Sequence, residues 1–152
     1  MKKRILDINP NAIVDTYNPK SIEGGEWNII DKSFSYVVDC IDTMSNKIKI
    51  IEKANIENVN IISAAGTGNK LDPTMFEVSD IYNTSICPVC KILRKELRRL
   101  GIKKHKVVYS KEIPARLGEL DENNKKTVAS ISFVPSVAGL IIAGEVVRNI
   151  IF

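Results

Sequence analysis

Two carboxylates stand at the end of a short apolar run. The run Tyr36-Val-Val-Asp-Cys-Ile-Asp-Thr43 is too short for a helix and precedes a helical pattern near Met44, so it predicts a buried strand, a turn and a helix. Ligands of α/β sheets bind at the carboxyl ends of strands, where Asp39 and Asp42 could hold a divalent cation and the phosphates that it bridges. Asp42 could instead cap the following helix, and the pattern gives Asp39 no role.

A glycine-containing loop follows the next apolar run. Val59 to Ala64 predicts a second buried strand, and the helical pattern from Met44 to Asn58 has the length of a right-handed crossover between parallel strands. The loop Ala65-Gly-Thr-Gly-Asn69 would let a ligand approach the backbone closely. The sequence has no G-x-G-x-x-G and no Walker loop, so these residues do not make a complete nucleotide site.

The cysteines allow a second kind of chemistry. Cys87-Pro-Val-Cys90 opens a predicted helix, and a helix N-terminus lowers the pKa of a thiol, so a redox centre is one interpretation. No zinc site is predicted, because only Cys40 and His105 remain as further ligands. His105 lies in a lysine-rich turn and is expected to be solvated. An odd count of three cysteines favours reduced thiols and a cytoplasmic protein.

The helix predicted from Cys87 to Leu100 combines a leucine stripe with a basic face, and Gly101 is expected to end it. Such a face could follow a phosphate backbone with a strong dependence on salt, or it could simply be solvated. The residues expected to contact nucleic acid are Arg94, Arg98, Arg99, Lys103 and Lys104.

The remaining patterns fit one α/β domain over residues 1–152, with ordinary globular composition of 44% hydrophobic and 26% charged residues. A turn or short helix is expected around Trp27, and a polar loop from Glu112 to Lys126. Further strands are predicted at Ala12–Tyr17, Met75–Ile81, Lys106–Tyr109 and Thr127–Phe133, and further helices at Lys2–Ile8 and Pro135–Phe152.

The last predicted helix, Pro135 to Phe152, is apolar almost all round, which predicts burial inside the domain or against a partner. Glu145 and Arg148 argue against a transmembrane span, and there is no signal-peptide pattern, so no membrane partner is expected. An orphaned, exposed sheet edge would favour pairing with a second copy, and a homodimer is therefore expected.

Four segments, taken in order, resemble the ThiF/MoeB/HesA family of ubiquitin-activating-like, ATP-dependent enzymes. Within it, the pattern is most similar to the tRNA threonylcarbamoyladenosine dehydratases. The resemblance implies a Rossmann-like three-layer fold with parallel core strands, additional β-strands and a C-terminal apolar helix. The segments are Tyr36–Thr43 with Lys47, Ala64–Thr74, Cys87-Pro-Val, and Ser132–Gly139.

The resemblance also implies a reaction, in which a carboxylate is adenylated with ATP and magnesium. In the dehydratases that carboxylate belongs to threonylcarbamoyladenosine in tRNA, which then cyclises. Asp42 matches the magnesium ligand, and Lys47 matches a lysine recurrent in the same motif. Gly66 and Gly68 match the loop beside the nucleotide. Implied partners are tRNA and possibly a sulfur-carrier or sulfur-transfer protein.

The departures from the family bear on activity. The family's glycine-rich loop, ribose-binding aspartate and phosphate-contacting arginine and lysine belong to an N-terminal part without a counterpart here, so the chain is expected to be a segment that is inactive alone. Cys90, and the lack of a cysteine before Ser130, depart from the dehydratase pattern, so a thiol intermediate is not expected. The alternatives are a non-catalytic dimerisation or interaction module and an activating enzyme for a ubiquitin-like sulfur carrier.

Overall fold

The computed structural model describes residues 1–17, 29–115 and 128–152. Within them, the strands form one sheet in the order β1-β2-β4-β3, with β1, β2 and β4 parallel and β3 antiparallel to β4. The strands are β1 (Val37–Asp39), β2 (Ile61–Ala64), β3 (Phe76–Asp80) and β4 (Lys106–Ser110). The helices are α1 (Lys2–Ile8), α2 (Met44–Ile56), α3 (Pro88–Arg99) and α4 (Phe133–Ile151).

Helices cover both faces of the sheet. On one face, Ile51 of α2 and Leu97 of α3 pack in one core with Val107 of β4. On the other, Ile142 of α4 packs with Val108. Neighbouring residues of β4 thus point to opposite faces, as a pleated strand requires. This confirms the predicted three-layer α/β fold with parallel core strands.

The segment from β1 to β2 forms the predicted crossover between parallel strands. Helix α2 buries residues three or four positions apart, which is the spacing of one helix face. Asp39 lies beside Ser63 in the sheet register, so the carboxyl ends of the two strands are neighbours. The buried residues of α2 are Lys47, Ile51 and Ala54.

Helix α3 has the predicted start and end. Pro88 occupies its first turn, where a missing N–H costs nothing. At its end Gly101 has φ +72°, the Ile102 N–H donates to the Leu97 carbonyl at 2.9 Å, and the Gly101 N–H donates to the Arg98 carbonyl at 3.0 Å. This pair of bonds is a Schellman motif, which glycine favours because it has no Cβ.

Two strand predictions are wrong. Residues 12–17 form no strand, and the described part of Thr127–Phe133 has none, since α4 begins at Phe133. The strand predicted within Tyr36–Thr43 is present as β1, but it is buried on one face only, since Val38 is 45% exposed. The reason is position: β1 lies at an edge of the described sheet. The expected turn around Trp27 and residues 116–126 of the expected polar loop lie outside the described residues.

Helix α4 packs on the sheet along one narrow stripe. Val134, Ala138 and Ile142 are buried, whereas Leu140 and Ile150 are more than half exposed. Of the two environments expected for this helix, burial inside the domain accounts only for this stripe. The apolar outer side is left to solvent or to a partner.

By length and composition alone, α4 is the one helix in the described ranges that could cross a membrane. A core helix of a soluble domain can have the same composition, so this is weak evidence. Glu145 of α4 accepts a hydrogen bond from Lys106 of β4, with Oε1 and Nζ 2.7 Å apart. The Asn149 side chain accepts another from the same ammonium at 2.8 Å. These polar contacts join the C-terminal half of α4 to strand β4 of the sheet.

Candidate functional site

A cavity of about 640 Å³ lies beyond the carboxyl ends of β1 and β2. Its wall comes from the turn after β1, the glycine loop after β2, the N-terminus of α3 and one side of α4. This is the position where ligands of parallel α/β sheets bind. The four residues matched to the nucleotide site all line it, namely Asp42, Lys47, Gly66 and Gly68.

Asp42 presents an exposed carboxylate to this cavity. The N-cap residue of α2 is Thr43, not Asp42, so the capping role for Asp42 is wrong. Within the described residues, the Asp42 side chain has no hydrogen-bond or ion-pair partner. Its oxygens are therefore available to a cation or a water molecule.

Lys47 has a different environment from the one expected for a ligand-binding lysine. Its Nζ lies 2.8 Å from Asp39 Oδ2, and the two side chains are 3% and 0% exposed. The same ammonium donates to the Ala64 carbonyl at 3.0 Å, and Asp39 Oδ1 accepts the Ile41 N–H at 2.9 Å. Lys47 thus lines the cavity as half of a buried ion pair, and Asp39 acquires the role of holding it.

His105 lies beneath this ion pair and is 3% exposed, so the prediction of a solvated histidine is wrong. Its Nε2 is 2.9 Å from Ser63 Oγ, and its backbone N–H donates to Asp80 Oδ2 at 3.1 Å. Burial lowers the pKa of His105 to about 4, with a further lowering by the charge of Lys47 and smaller opposing effects of Asp39 and Asp80. The imidazole is therefore neutral at pH 7.

Lys70 is a cavity residue that the sequence interpretation missed. Its side chain is buried, with the residue 3% exposed, and its Nζ donates to the Glu112 carbonyl at 2.7 Å. The Glu112 carboxylate is occupied elsewhere, by the N–H groups of Leu71 and Asp72. In the described part of the chain no carboxylate forms an ion pair with Lys70, whose ammonium keeps two donors for an anion. The position of Lys70 directly after the glycine loop is the feature of the sequence that could have indicated a place in the cavity.

Asn69 lines the cavity. It adopts φ 57° and makes three hydrogen bonds. Its N–H donates to the Ala129 carbonyl at 2.8 Å, its carbonyl accepts the Ala115 N–H at 2.7 Å, and its Oδ1 accepts the Ala129 N–H at 2.8 Å. The glycine loop is thereby joined to the segment that leads into α4.

The two glycines of the loop are needed for space. A Cβ on Gly66 would lie 3.2 Å from Val89 Cγ2 at the start of α3. A Cβ on Gly68 would overlap the Val128 side chain. The loop backbone therefore packs closely between α3 and the segment before α4.

Cys87 and Cys90 are both buried, and Cys87 lines the cavity. The hydrogen bond from the Cys90 thiol, helped by the N–H groups of Cys90, Val89 and Gly66, lowers the pKa of Cys87 to about 5 against the effect of burial. The same hydrogen bond and burial raise the pKa of Cys90. A thiolate therefore faces a thiol at neutral pH, and the redox interpretation of the sequence remains open.

The predicted nucleic-acid surface is only partly available. Arg94 is half-buried and donates to the Thr84 carbonyl at 2.9 Å, so it supports the fold instead of facing solvent as predicted. Arg99 is exposed but pairs with Glu96, with Nε and Oε2 3.0 Å apart.

The other three basic residues are exposed. The Arg98 guanidinium lies over the Tyr82 ring, 5.2 Å from its centroid. Lys103 and Lys104 follow in the turn after α3. Arg98, Lys103 and Lys104, here called the exposed basic surface, are the members of the predicted set that are exposed and form no ion pair among the described residues.

Comparison with models of protein families identifies the class of protein to which this fold and cavity belong. A family model described as the ThiF family matches residues 1–151. The chain belongs to the ThiF family.

The relatives of the chain described next are tRNA threonylcarbamoyladenosine dehydratases. The chain is 37% identical over 163 residues to the tRNA threonylcarbamoyladenosine dehydratase of Bacillus subtilis, covering 99% of this chain and 64% of that protein. It is 27% identical to tRNA threonylcarbamoyladenosine dehydratase 2 of Saccharomyces cerevisiae, covering 99% of this chain and 39% of that protein. The chain thus spans less than two thirds of the length of these relatives.

The fold also matches solved structures of the Escherichia coli tRNA N6-threonylcarbamoyladenosine dehydratase. With ATP bound, that structure has a TM-score of 0.77 and 22% identity to this chain, covering 98% of this chain and 61% of that one. With AMP bound, the TM-score is 0.76. At this identity the match confirms the fold.

Proposed function

We propose that residues 1–152 form one domain that supplies the acceptor side of an ATP-dependent adenylating site. The whole protein would be a tRNA threonylcarbamoyladenosine dehydratase, which activates the carboxylate of that nucleoside in tRNA for cyclisation. The observation that carries the proposal is that Asp42, Lys47, Gly66 and Gly68 line one cavity. The names of the relatives supply the substrate.

Asp42 would hold the magnesium ion of ATP. Magnesium is usually bound by one or two carboxylates together with substrate phosphates and waters. An exposed carboxylate on the cavity wall fits that donor set. When bound, the ion would neutralise charge on the phosphates, and Asp42 would fix its position.

Lys70 would bind an anionic oxygen, either of the acceptor carboxylate or of a nucleotide phosphate. A buried ammonium is costly unless an opposite charge accompanies it. The single contact of Lys70 Nζ with a backbone carbonyl among the described residues leaves that charge to a ligand. Lys47 would act differently, because its charge is already matched by Asp39.

The decisive experiment is Asp42→Asn in the full-length protein, with release of pyrophosphate from ATP as the measurement. We expect a loss of about 10²-fold or more, the usual size when one group that stabilises transition-state charge is removed. Asp15→Asn is the matched control, since Asp15 is exposed and does not line the cavity. Equal activity in the two variants would remove Asp42 from the site.

A second experiment uses the chain of 152 residues alone with ATP and magnesium. We expect no pyrophosphate release, because the chain spans only about 64% of the B. subtilis relative. Pyrophosphate release by the chain alone would contradict the proposal that it supplies only the acceptor side of the adenylating site. Titration of the same chain with the free nucleoside, threonylcarbamoyladenosine, and with ATP then distinguishes the two anions. Lys70→Gln should weaken binding of whichever one Lys70 contacts.

The tRNA would bind across the exposed basic surface formed by Arg98, Lys103 and Lys104. Reversing these three charges to glutamate should weaken tRNA binding and make it less dependent on salt, because fewer counterions are released. Lys49→Glu on α2 is the control for each of the three reversals made singly, because it changes the net charge by the same amount elsewhere. An equal loss with the control would show only the effect of net charge.

Assembly and location form the rest of the proposal. The exposed apolar side of α4 favours a homodimer, which sedimentation at two protein concentrations would detect. A non-catalytic interaction module would show dimerisation without any effect of Asp42→Asn on activity of the full-length protein. An activating enzyme for a ubiquitin-like sulfur carrier would release pyrophosphate with that carrier and not with tRNA. Action on tRNA would place the protein in the cytoplasm.

A further inference from the structure

The adenylation chemistry proposed above gives no role to Cys87 and Cys90, although Cys87 lines the cavity and both side chains are buried. Cys87 is the N-cap residue of α3, and Cys90 is the third residue of the helix. Side chains at this separation on a helix are neighbours. Both residues are at most 2% exposed, so their sulfur atoms are held among packed groups.

The placement of the two cysteines is that of a nucleophile and its resolving partner. Cys87 precedes the first turn of α3 and lines the cavity, and Cys90 is buried beside it on the same helix. The lowered pKa of Cys87 and the raised pKa of Cys90 agree with Cys87 as the thiolate and Cys90 as the thiol. The negative sulfur faces the cavity, which has ample volume for a small molecule beside it.

We propose that Cys87 and Cys90 are a peroxide-reactive modification site that forms a reversible intramolecular disulfide on the wall of the cavity. The co-reactant is a hydroperoxide, and the reductant that reverses the reaction is a dithiol. This inference rests on the dithiol geometry alone and does not require the proposed adenylation.

The first step oxidises Cys87. Its thiolate attacks one oxygen of hydrogen peroxide, an S–O bond forms and the O–O bond breaks. The departing hydroxide takes a proton from solvent and becomes water. Cys87 is left as a sulfenic acid, which has lost two electrons to the peroxide.

The second step closes the disulfide. The Cys90 sulfur attacks the Cys87 sulfur, an S–S bond forms and the S–O bond breaks. The departing hydroxide takes the proton of the Cys90 thiol and becomes the second water. In sum, two thiols and one hydrogen peroxide give one disulfide and two waters, and a neutral disulfide replaces the thiolate on the cavity wall.

Cys40 provides an internal control. It also lines the cavity, but burial of its sulfur and the charge of Asp39 raise the pKa of its thiol. It should therefore react slowly. The three cysteines of the chain thus comprise one reactive pair and one reporter of non-selective oxidation.

The test is oxidation of the folded 152-residue chain with about one equivalent of hydrogen peroxide, followed by mass spectrometry without reductant. We expect a loss of two mass units, a Cys87–Cys90 link in the peptide map and an unmodified Cys40, all reversed by dithiothreitol. Cys40→Ser should behave in the same way. Cys90→Ser should stop at a sulfenic acid that dimedone traps on Cys87.

Three results would overturn the proposal. One is a chain that keeps all three thiols under these conditions, and another is a link that includes Cys40. The third is over-oxidation of Cys87 without a disulfide in the unsubstituted chain. Because the unsubstituted chain and Cys40→Ser decide between these outcomes, a folding defect in Cys90→Ser would not affect the conclusion. The rate of iodoacetamide labelling at Cys87 should also rise with a midpoint near pH 5.

Discussion

Removing the charge of Asp39 tests the central feature of the site, the buried ion pair with Lys47. The two charged atoms are 2.8 Å apart and both side chains are essentially inaccessible to water. Asp39→Asn keeps the shape and the acceptor for the Ile41 N–H but leaves the Lys47 ammonium without its opposite charge. Loss of one partner of a buried pair costs about 3 to 5 kcal/mol. That is a large part of the roughly 5 to 15 kcal/mol that stabilises a domain.

A double substitution separates the charge from the packing. Lys47→Met alone should also cost about 3 to 5 kcal/mol, because it leaves the Asp39 carboxylate buried and unpaired. Asp39→Asn combined with Lys47→Met removes both charges and should lie within about 2 kcal/mol of the original chain. The coupling energy of the cycle is then about 4 kcal/mol or more.

Urea unfolding followed by far-ultraviolet circular dichroism at pH 7 measures these free energies. Asp15→Asn is the control, and as a surface change it should stay within about 0.5 kcal/mol. The reasoning is refuted if Asp39→Asn costs less than about 1 kcal/mol, or if the two single effects simply add in the double variant.

Two further predictions concern the layer below the cavity and the end of α3. The pKa of His105 is about 4 in the fold against 6.5 for an exposed histidine, so its contribution to stability is complete above pH 6.5 and is lost as the pH falls towards 4. The loss should be about 3 kcal/mol, and His105→Asn should abolish that part of the pH dependence of urea unfolding. Gly101→Ala should cost about 1 to 2 kcal/mol, because the φ of +72° at this position is unfavourable for any residue with a Cβ. A thermal melt of this variant that matches the original chain would contradict that explanation.

Local signals in the sequence predicted the parts of the fold that depend on local chemistry. Pro88 and Gly101 mark the ends of α3, and both serve as expected. The lengths of the apolar runs around α2 predicted the parallel crossover, which in turn placed Asp42 beside the glycine loop. The common cavity of Asp42, Gly66 and Gly68 follows from that topology alone.

The electrostatic arrangement of the site could not be predicted in the same way. The Lys47 ammonium could point into the cavity or pair with Asp39. Which of the two occurs depends on how α2 packs on the sheet, and no local sequence pattern determines that packing. The lysines around His105 in the sequence suggest that it is exposed. It is nevertheless held in the interior by hydrogen bonds with Ser63 and Asp80, which are distant in sequence. The burial of Lys70 could not be predicted either, because Glu112, whose carbonyl accepts its hydrogen bond, lies 42 residues further on.

The bonds of Asn69 have a consequence for how the protein opens and closes. Asn69 binds Ala115 and Ala129, the latter 60 positions away, so this part of the cavity wall depends on contacts of high sequence separation and should form late in folding. Native-state hydrogen exchange should show the amides of Asn69, Ala115 and Ala129 opening together, at a lower free energy than those of β4. This part of the cavity wall and the docking of α4 would then be one cooperative unit. A substitution on the sheet side of α4 could empty the site of its ligand while the sheet remains folded.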